Sequence, residues 1–293
     1  MNEKRSLEVA EATREAAEVL RRSGVPQARR EAASLLAHTI KRDQTFLLTH
    51  PEHMLVEQEM SLYRELVERR ARGEPLQYIT GRQEFYGLEF EVTPDVLIPR
   101  PETELLVETA LELLKEAKEP LSICDVGTGS GCIAVTLLHE RKPPTIARVT
   151  GLDISPRALT VAGRNAARHS VRERLDLVAS DCFTAVASGR SLFHMIVSNP
   201  PYIAGDALDC LQREVRSFEP LTALSPGTDG LSIIRRLLRD APPLLFAGGH
   251  LLLEIGFDQH AAVRELIDAR VWRLLDIYRD LQGIPRAVAL RKI

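Results

Sequence analysis

The chain has 293 residues, of which 44% are hydrophobic, and this length and composition are typical of one or two domains with a sizeable core. The formal net charge of −3 at pH 7 argues against a protein that is drawn to nucleic acid by its overall charge. No apolar run approaches the ~20 residues of a membrane-spanning helix, and no signal-like segment opens the chain, so we expect a cytoplasmic protein.

Residues 1–73 carry the pattern of a small helical bundle. Apolar residues recur at helical spacing over residues 7–20 and again over 56–72, and Gly24-Val25-Pro26 interrupts the pattern between them. Basic pairs in this part of the chain, such as Arg69-Arg70, are expected on solvated helix faces.

Residues 74–101 are predicted to form a β-hairpin linker. Polar and apolar residues alternate from Leu76 to Val92, and Gly87 lies where the turn is needed. Residues 102–293 then form a second, larger domain, which opens with a predicted helix from Glu102 to Glu116.

A glycine-rich loop follows the first buried strand of this second domain. The strand is predicted from Leu121 to Val126, the loop is Gly127-Thr128-Gly129-Ser130-Gly131, and a helical pattern begins near Cys132. Glycines at alternate positions let the backbone approach a ligand, and the helix start supplies free N–H groups. The dinucleotide fingerprint is not met, because Cys132 occupies the place of its third glycine. All five loop residues are candidate cofactor contacts.

Two further predicted strands end in acidic residues. The strand from Ala147 ends at Asp153, which is placed to bind ribose hydroxyls. Asp153 is also a candidate helix N-cap, although Ser155 is the better cap by position. The strand from Leu175 ends at Asp181, where an adenine amino group can be recognised, and a purely structural role is equally open. Cys182 beside it joins the candidate cofactor contacts.

The tetrapeptide Asn199-Pro200-Pro201-Tyr202 follows a strand-like run that ends at Ser198. Methylating a planar, weakly nucleophilic nitrogen requires a site that grips both N–H groups. The side-chain oxygen of Asn199 and the carbonyl of Pro200 are suitable acceptors, the prolines stiffen the loop, and Tyr202 can lie flat on the planar group. The alternative is an ordinary strand-ending turn, since Asn-Pro is a common turn dipeptide.

Strand and helix patterns alternate from Leu121 to about Ile255, which predicts an α/β fold with a parallel sheet covered on both faces. The ligand should lie at the carboxyl ends of the strands, where the glycine loop and Asn199 both fall. Residues 271–278 and 287–291 are predicted as two closing strands.

Metal binding is not expected. The four cysteines form no C-x-x-C pair, and the eight histidines are scattered without a ligand spacing. We therefore expect reduced thiols, and histidines with packing or surface roles.

The order of the glycine loop, Asp153 and the Asn-Pro-Pro-Tyr tetrapeptide resembles the class I S-adenosylmethionine-dependent methyltransferases. Other segments are similar to the HemK/PrmC family, the N5-glutamine methyltransferases of peptide chain release factors. These segments are Pro75–Gly81, Phe85–Leu88, Val96–Glu104, Glu219-Pro220, Asp229–Leu231 and Glu254–Gly256. The chain departs from the family pattern at Ser225-Pro226-Gly227 and at Ile284-Pro285-Arg286.

The resemblance implies a Rossmann-like seven-stranded sheet whose last strand is antiparallel, with S-adenosyl-L-methionine as cofactor. It implies that the protein substrate is a class 1 release factor, methylated on the glutamine of a Gly-Gly-Gln motif, and that residues 1–73 dock this substrate. Asn199, Pro200 and Tyr202 would be catalytic, Pro201 would join them in binding the glutamine, and Asn199 would also contact the cofactor. We expect a monomer that transfers the methyl group directly, without a general base.

Three other functions remain open at this point. A ribosomal-protein glutamine methyltransferase would perform the same reaction with a different docking domain. An adenine-N6 DNA methyltransferase shares the tetrapeptide, but it usually needs a basic surface and a recognition domain. A non-catalytic cofactor-binding adaptor is disfavoured by the intact tetrapeptide.

Overall fold

The computed structural model describes residues 7–117, 119–140, 146–186 and 191–293. The chain forms two compact units. A helical unit comprises the residues up to Gly81 together with Gln212–Phe218, and a sheet unit comprises Arg82–Leu211 and Glu219–Ile293. The predicted division at residues 73 and 101 remains a prediction.

Helices and strands follow the predicted order. The α-helices are α1 (Val9–Arg22), α2 (Ala28–Ile40), α3 (Gln44–Thr49), α4 (Glu57–Ala71), α5 (Leu76–Thr80), α6 (Glu104–Leu113), α7 (Cys132–Glu140), α8 (Pro156–Arg168), α9 (Arg213–Phe218), α10 (Leu221–Leu224), α11 (Ser232–Asp240) and α12 (His260–Leu266). The strands are β1 (Arg82–Phe85), β2 (Leu88–Glu91), β3 (Leu121–Val126), β4 (Ile146–Asp153), β5 (Leu175–Ala179), β6 (Phe193–Ser198), β7 (Leu245–Glu254), β8 (Trp272–Arg279) and β9 (Pro285–Lys292). Among the described residues, no helix is long and apolar enough to cross a membrane.

The helical unit has its own apolar core. The i, i+4 spacing of Ala12, Ala16 and Leu20 places them on one buried stripe of α1. In α4, Tyr63 is buried, and its hydroxyl donates a hydrogen bond to the carbonyl of Ala32 at 3.0 Å. The helical bundle predicted from apolar periodicity is therefore confirmed.

Arg70 is an exception to the predicted solvated basic faces. Only 5% of this residue is exposed. Its guanidinium pairs with Glu31 of α2 at 2.5 Å and with Glu214 of α9 at 2.8 Å. The prediction was wrong for Arg70, because two acids that are distant in sequence compensate the buried charge, as burial of an ion requires.

The hairpin begins later than predicted. Residues 76–80 form the short helix α5, which Gly81 ends in a left-handed conformation with φ 75°. Tyr78 and Ile79 are adjacent and both buried, whereas a strand would direct them to opposite faces. The antiparallel hairpin itself is β1 and β2, turning at Gly87 with φ 72°.

The first helix of the larger predicted domain is shorter than expected. Pro101–Thr103 forms a 3₁₀ turn, and α6 begins only at Glu104. This turn places Thr103 in a buried position, with 2% of the residue exposed.

The sheet unit contains a seven-stranded sheet in the order β5-β4-β3-β6-β7-β9-β8. Strands β3 to β7 pair in parallel, whereas β9 pairs antiparallel to both β7 and β8. Helices pack on the sheet and enclose two clusters of buried apolar side chains. The Rossmann-like fold class and the antiparallel last strand are confirmed.

The register of the parallel strands brings distant segments to one edge of the sheet. Ser198 pairs with Val126 on one side and with Leu253 on the other. The next residues along these three strands are Asn199, Gly127 and Glu254. The glycine loop and the Asn-Pro-Pro-Tyr loop therefore leave the sheet side by side.

Candidate active site

The glycine loop is anchored to the end of the neighbouring strand β4. The backbone N–H groups of Gly127 and Thr128 both donate to the carbonyl of Leu152, at 2.8 and 2.9 Å. Within the loop, the Gly131 N–H donates to the Thr128 carbonyl at 2.7 Å. The loop is therefore a fixed turn between β3 and α7.

The three glycines of this loop serve two different purposes. All have positive φ, at 75° for Gly127, 55° for Gly129 and 81° for Gly131. A Cβ on Gly131 would lie 3.1 Å from the Cβ of Ala162 in α8, so this glycine permits close helix packing. A Cβ on Gly127 or Gly129 would meet no atom nearer than 3.8 Å. The space beside Gly127 and Gly129 is open to a ligand.

Asp153 ties the glycine loop to the start of α8. Its Oδ2 accepts a hydrogen bond from the Gly129 N–H and its Oδ1 accepts one from the Ser155 N–H, both at 2.9 Å. Burial raises the pKa of Asp153, and these two donors oppose the shift. The N-cap of α8 is Ser155, as predicted, because its hydroxyl accepts the Ala158 N–H at 3.2 Å.

Asp125 lies beneath the glycine loop, and sequence reasoning assigned it no role. It is fully buried, and its Oδ2 accepts a hydrogen bond from the Thr128 hydroxyl at 2.7 Å. Within the described part of the chain, its Oδ1 has no hydrogen-bond partner. Burial raises the pKa of Asp125 to about 7.

Asn165 of α8 connects the hairpin to the glycine loop. Its side-chain nitrogen donates to the carbonyls of Ser130 at 2.8 Å and Glu91 at 3.0 Å. Its side-chain oxygen accepts the Glu91 N–H at 2.7 Å. A fully buried amide on one helix therefore holds both the loop and the end of β2.

Asp181 and Cys182 lie in the loop after β5, two and three residues beyond its last residue, Ala179. The Asp181 carboxylate is half exposed and pairs with Arg236 at 2.9 Å. Cys182 is buried with φ 49°, and its carbonyl accepts the Ser180 hydroxyl at 2.7 Å. Cofactor binding by Asp181 and Cys182 remains a prediction.

The side-chain amide of Asn199 is fixed by a hydrogen bond to Thr103. Its Nδ2 donates to Thr103 Oγ1 at 2.9 Å. The oxygen and nitrogen of a primary amide lie on opposite sides of the group, so this bond directs Asn199 Oδ1 away from Thr103. Pro200 after it is buried, and Ser198 before it is fixed by a hydrogen bond to the Val126 carbonyl at 2.6 Å.

Tyr202 is fixed at both its backbone and its hydroxyl group. Its carbonyl accepts a hydrogen bond from Gln259 Nε2 at 2.9 Å, and the Gln259 Oε1 accepts the Gly256 N–H at the same distance. Its hydroxyl makes a long contact of 3.4 Å to Glu254 Oε1. Gly230, with φ 69°, passes so close that any Cβ there would overlap the Tyr202 carbonyl oxygen.

Glu254 ends β7 beside Asn199 and is 2% exposed. Burial raises its pKa to about 7, while the nearby hydroxyl groups of Thr103 and Tyr202 and the charge of Arg286 oppose the rise. Its Oε2 accepts no hydrogen bond within 3.5 Å from the described residues. A carboxyl group this deep and this poorly compensated points to a functional site.

Glu219 fixes the segment that carries Thr103. Its side chain is 1% exposed, accepts the Ile98 N–H at 3.3 Å and forms an ion pair with Arg100. The buried glutamate therefore fixes Ile98 and Arg100, which lead into the 3₁₀ turn at Pro101–Thr103.

Several of the residues predicted from sequence lie together in the structure, but the residues that hold them in place were not predicted. The sheet register brings the glycine loop and Asn199 to one edge, and Asp153 bonds to that loop. Thr103, Glu254 and Gln259 were assigned no role. The signal for Thr103 and Glu254 was their place in the family-like runs Val96–Glu104 and Glu254–Gly256. Among the residues that the structure describes, no cluster of His, Cys, Asp or Glu could hold a metal ion.

Two family models match the chain. A model described as the PrmC N-terminal domain matches residues 11–81, and one described as the methyltransferase small domain matches residues 102–217. The first covers most of the described helical unit, and the second includes the glycine loop and the Asn-Pro-Pro-Tyr loop.

Curated relatives match almost end to end. The release factor glutamine methyltransferase of Koribacter versatilis is 45% identical over 273 residues, which cover 93% of this chain and 94% of the relative. The protein with the same name from Burkholderia pseudomallei is 45% identical over 276 residues, with the same coverage of 93% and 94%. A solved methyltransferase structure from Pyrococcus furiosus superposes with a TM-score of 0.50 at 19% identity and covers 71% of this chain and 90% of that one. The structural likeness supports the fold alone.

Proposed function

This chain belongs to the family of release factor glutamine methyltransferases, and we propose that it methylates the side-chain nitrogen, N5, of a glutamine in class 1 peptide chain release factors. The methylated glutamine would be that of a Gly-Gly-Gln motif. The observation that carries the proposal is the Asn199 amide, whose nitrogen is held by Thr103 so that its oxygen is available as an acceptor.

S-adenosylmethionine would bind on the open side of the glycine loop. The missing Cβ atoms of Gly127 and Gly129 leave room for a ligand at the backbone. Asp153 would accept hydrogen bonds from the ribose hydroxyls, and the neighbouring Ile154, which is 62% exposed, would pack its apolar side chain against the flat base. When bound, S-adenosylmethionine supplies a methyl group that its sulfonium makes electrophilic.

The chain's contribution to the reaction is orientation. Asn199 Oδ1 and the Pro200 carbonyl would accept the two N–H groups of the substrate amide and direct its remaining lone-pair density toward the methyl group. The Pro200-Pro201 pair limits the freedom of this loop, and the Tyr202 ring would pack on the amide plane. An amide nitrogen has little basicity, so its proton leaves during or after transfer, when the nitrogen has become acidic.

The helical unit would recognise the rest of the release factor. A Gly-Gly-Gln loop can enter a narrow cleft because its two glycines carry no side chains. A short peptide containing it would lack the remote contacts that help to orient a folded substrate. We therefore expect intact release factor to be methylated much faster than the free peptide.

A methyl-transfer assay with labelled S-adenosylmethionine tests the proposed function. Label should enter intact release factor and not its variant with Gln→Ala in the Gly-Gly-Gln motif. Ribosomal proteins and duplex DNA serve as competing acceptors. Incorporation into either, with none into release factor, would contradict the proposal and assign the chain to that other substrate class.

A further inference from the structure

The side-chain amide of Gln259 connects three loops of the sheet unit. Its Oε1 accepts the Gly256 N–H at 2.9 Å, and its Nε2 donates to the Tyr202 carbonyl, also at 2.9 Å. The same nitrogen lies 3.4 Å from the Gly230 carbonyl oxygen. Gly256 follows β7, Tyr202 lies in the loop after β6, and Gly230 precedes α11. One side chain therefore links three segments that are separate in the sequence.

The partners of this amide determine which way it faces. A backbone N–H can only donate, so Gly256 requires the amide oxygen, whereas the carbonyls of Tyr202 and Gly230 require the amide nitrogen. The NH₂ group has two hydrogens and two carbonyl oxygens near it. A flipped amide would place two donors together at Gly256 and acceptors together at the two carbonyls, so only one orientation satisfies all three groups.

The backbone of Gln259 is also fixed. Its N–H donates to the Gly256 carbonyl at 3.1 Å, and its carbonyl accepts the Val263 N–H at 2.9 Å in the first turn of α12. Val263 is fully buried. A Cβ on Gly256 would lie 3.1 Å from Gln259 Cδ and Oε1, so the glycine leaves room for the glutamine side chain close to the main chain. The donor group Nε2 is therefore held in one place.

The Tyr202 carbonyl lies outside any helix or strand, so no regular hydrogen-bond pattern sets its direction. The two prolines before Tyr202 restrict the backbone on that side. On the other side, the Ile203 N–H donates to the Leu224 carbonyl at 3.0 Å. The peptide group between Tyr202 and Ile203 is thus held at its oxygen by Gln259 and at its N–H by Leu224. A fixed peptide plane leaves the Tyr202 ring little freedom to move with its backbone.

We propose that Gln259 is a positioning residue of the methyl-transfer reaction, which holds the Tyr202 backbone so that the Tyr202 ring packs on the plane of the substrate amide. The effect on the rate rests on the proposed function, because the ring acts on a bound planar amide. The fixing of Tyr202 by Gln259 Nε2 does not depend on which acceptor is methylated.

Two substitutions separate the two ends of the Gln259 amide. Gln259→Glu keeps the length of the side chain and an oxygen that accepts the Gly256 N–H, but it loses the NH₂ group that donates to Tyr202. Gln259→Met has a similar length and loses both bonds. Asp258→Asn is the control, because Asp258 is exposed and lies in the same turn.

Kinetics with intact release factor measures the consequence. Both Gln259 variants should lower kcat ~10–10²-fold, the scale expected when a group at the reacting centre is displaced. The KM for release factor and the affinity for S-adenosylmethionine should change by less than ~2-fold, because neither binding contact is removed. A normal rate in Gln259→Glu with a slow Gln259→Met would show that Gln259 serves only the Gly256 turn, and it would overturn the proposal. So would an equal loss in Asp258→Asn.

Fluorine magnetic resonance tests the position of Tyr202 without any methyl acceptor. The chain has five tyrosines, so protein labelled with 3-fluorotyrosine gives few signals, and the Tyr202 signal is assigned by its loss in Tyr202→Phe. This signal should shift in Gln259→Glu and in Gln259→Met, and the other four should stay in place, which also shows that the fold is retained. A Tyr202 signal that does not move in either variant would overturn the proposal.

The double variant Gln259→Met with Tyr202→Ala tests whether Gln259 acts through the ring. With the ring already absent, the second substitution should slow transfer by no more than ~2-fold beyond Tyr202→Ala alone. Rate losses that multiply would contradict the proposed route through Tyr202. Absence of methyl transfer by the wild type would instead refute the proposed function, and the fluorine signals would still decide whether Gln259 positions Tyr202.

Discussion

The two halves of the candidate site are built from different parts of the chain. The half proposed to bind the cofactor, called the cofactor half, is made of backbone: the turns at Gly127 and Gly129, anchored by N–H groups to Leu152 and to the Asp153 carboxylate. The half proposed to bind the substrate amide, called the amide half, is made of side chains, with Asn199 held by Thr103 and the Tyr202 backbone held by Gln259. A backbone cradle tolerates changes in most nearby side chains, whereas a side-chain network depends on each member.

Both halves nevertheless contain a deeply buried acid, Asp125 in the cofactor half and Glu254 in the amide half. Asp125 Oδ2 accepts a hydrogen bond from the Thr128 hydroxyl at 2.7 Å, whereas Glu254 Oε1 has a long contact of 3.4 Å to the Tyr202 hydroxyl. Burial raises the pKa of each acid to about 7. Each acid also has one oxygen without a partner among the described residues. The difference lies in the hydroxyl group that each acid contacts. Thr128 belongs to the glycine loop, whereas Tyr202 belongs to the loop that would hold the substrate amide.

The largest expected effect separates the two halves by function. Asn199→Ala removes the proposed acceptor of the substrate amide, and it should lower the transfer rate ~10²–10³-fold. Cofactor affinity, measured by isothermal titration calorimetry, should stay near the wild-type value. An equal fall in cofactor affinity would mean that the two halves do not act separately.

The two buried acids should also make stability depend on pH. The pKa of Asp125 is raised in the folded protein to about 7 from 3.8, so its contribution to stability is fully present below pH ~4 and is lost as the pH rises through about 7. The asparagine in Asp125→Asn does not ionise, so its contribution to stability does not depend on pH. The free energy of unfolding of Asp125→Asn, relative to wild type, should therefore rise by up to ~3 kcal/mol between pH 5 and pH 8.

Urea unfolding at the two pH values measures this difference. Glu254 carries a shift of the same sign, from 4.5 to about 7, so Glu254→Gln is the matched variant in the amide half. A similar rise with pH in the relative unfolding free energy of both variants would support raised pKa values for both acids in the folded protein. A relative stability that does not change with pH would show that Asp125 keeps an ordinary pKa in the folded protein.

Gly230 tests how strictly the amide half depends on position. Gly230→Ala places a Cβ against the Tyr202 carbonyl and Gln259 Nε2, so the Tyr202 backbone must shift, and transfer should slow by ~10-fold or more. Gly87→Ala is the control, because Gly87 has a similar φ of 72° and no atom within 4 Å of the added Cβ. Both variants carry backbone strain, but only Gly230→Ala should lose activity. Equal rates for the two would show that the position of Tyr202 matters little.

The cofactor half was easier to predict from sequence than the amide half. A strand, a glycine turn and a helix are local patterns in the sequence. Asp153 lies 24 residues along the chain from Gly129, whose N–H donates a hydrogen bond to it. The Asn199 partner Thr103 is 96 residues away in the chain, and nothing in local periodicity links the two. Only the folded register of β6 and β7 brings Glu254 beside them.

The errors in the fold have the same physical origin. Helix α5 is only five residues long. Polar and apolar residues alternate enough over so short a stretch to resemble the pattern of a strand. Arg70 was placed in solvent because its acidic partners, Glu31 and Glu214, come from other helices. Short elements and buried ion pairs are decided by tertiary contacts, which a single sequence does not display.

In the cofactor half, removal of the Asp153 side chain should weaken cofactor binding moderately. Asp153→Ala should weaken S-adenosylmethionine binding by ~1–3 kcal/mol, the range for losing charge-assisted hydrogen bonds, and calorimetry measures it directly. Because the Gly129 and Ser155 N–H groups also lose their acceptor, circular dichroism should be recorded to show that the fold is retained. Unchanged affinity in a folded variant would remove Asp153 from the cofactor site.

The smallest expected effect concerns the hydroxyl of Tyr202. Its contact with Glu254 is long, at 3.4 Å, and a neutral hydrogen bond of this length contributes little. The proposed role of Tyr202 uses the ring face, so Tyr202→Phe should reduce transfer less than ~10-fold, the effect of about 1.4 kcal/mol. Tyr202→Ala removes the ring and should be clearly slower. Equal losses in the two variants would show that the hydroxyl, and with it the Glu254 contact, is what the amide half requires of Tyr202.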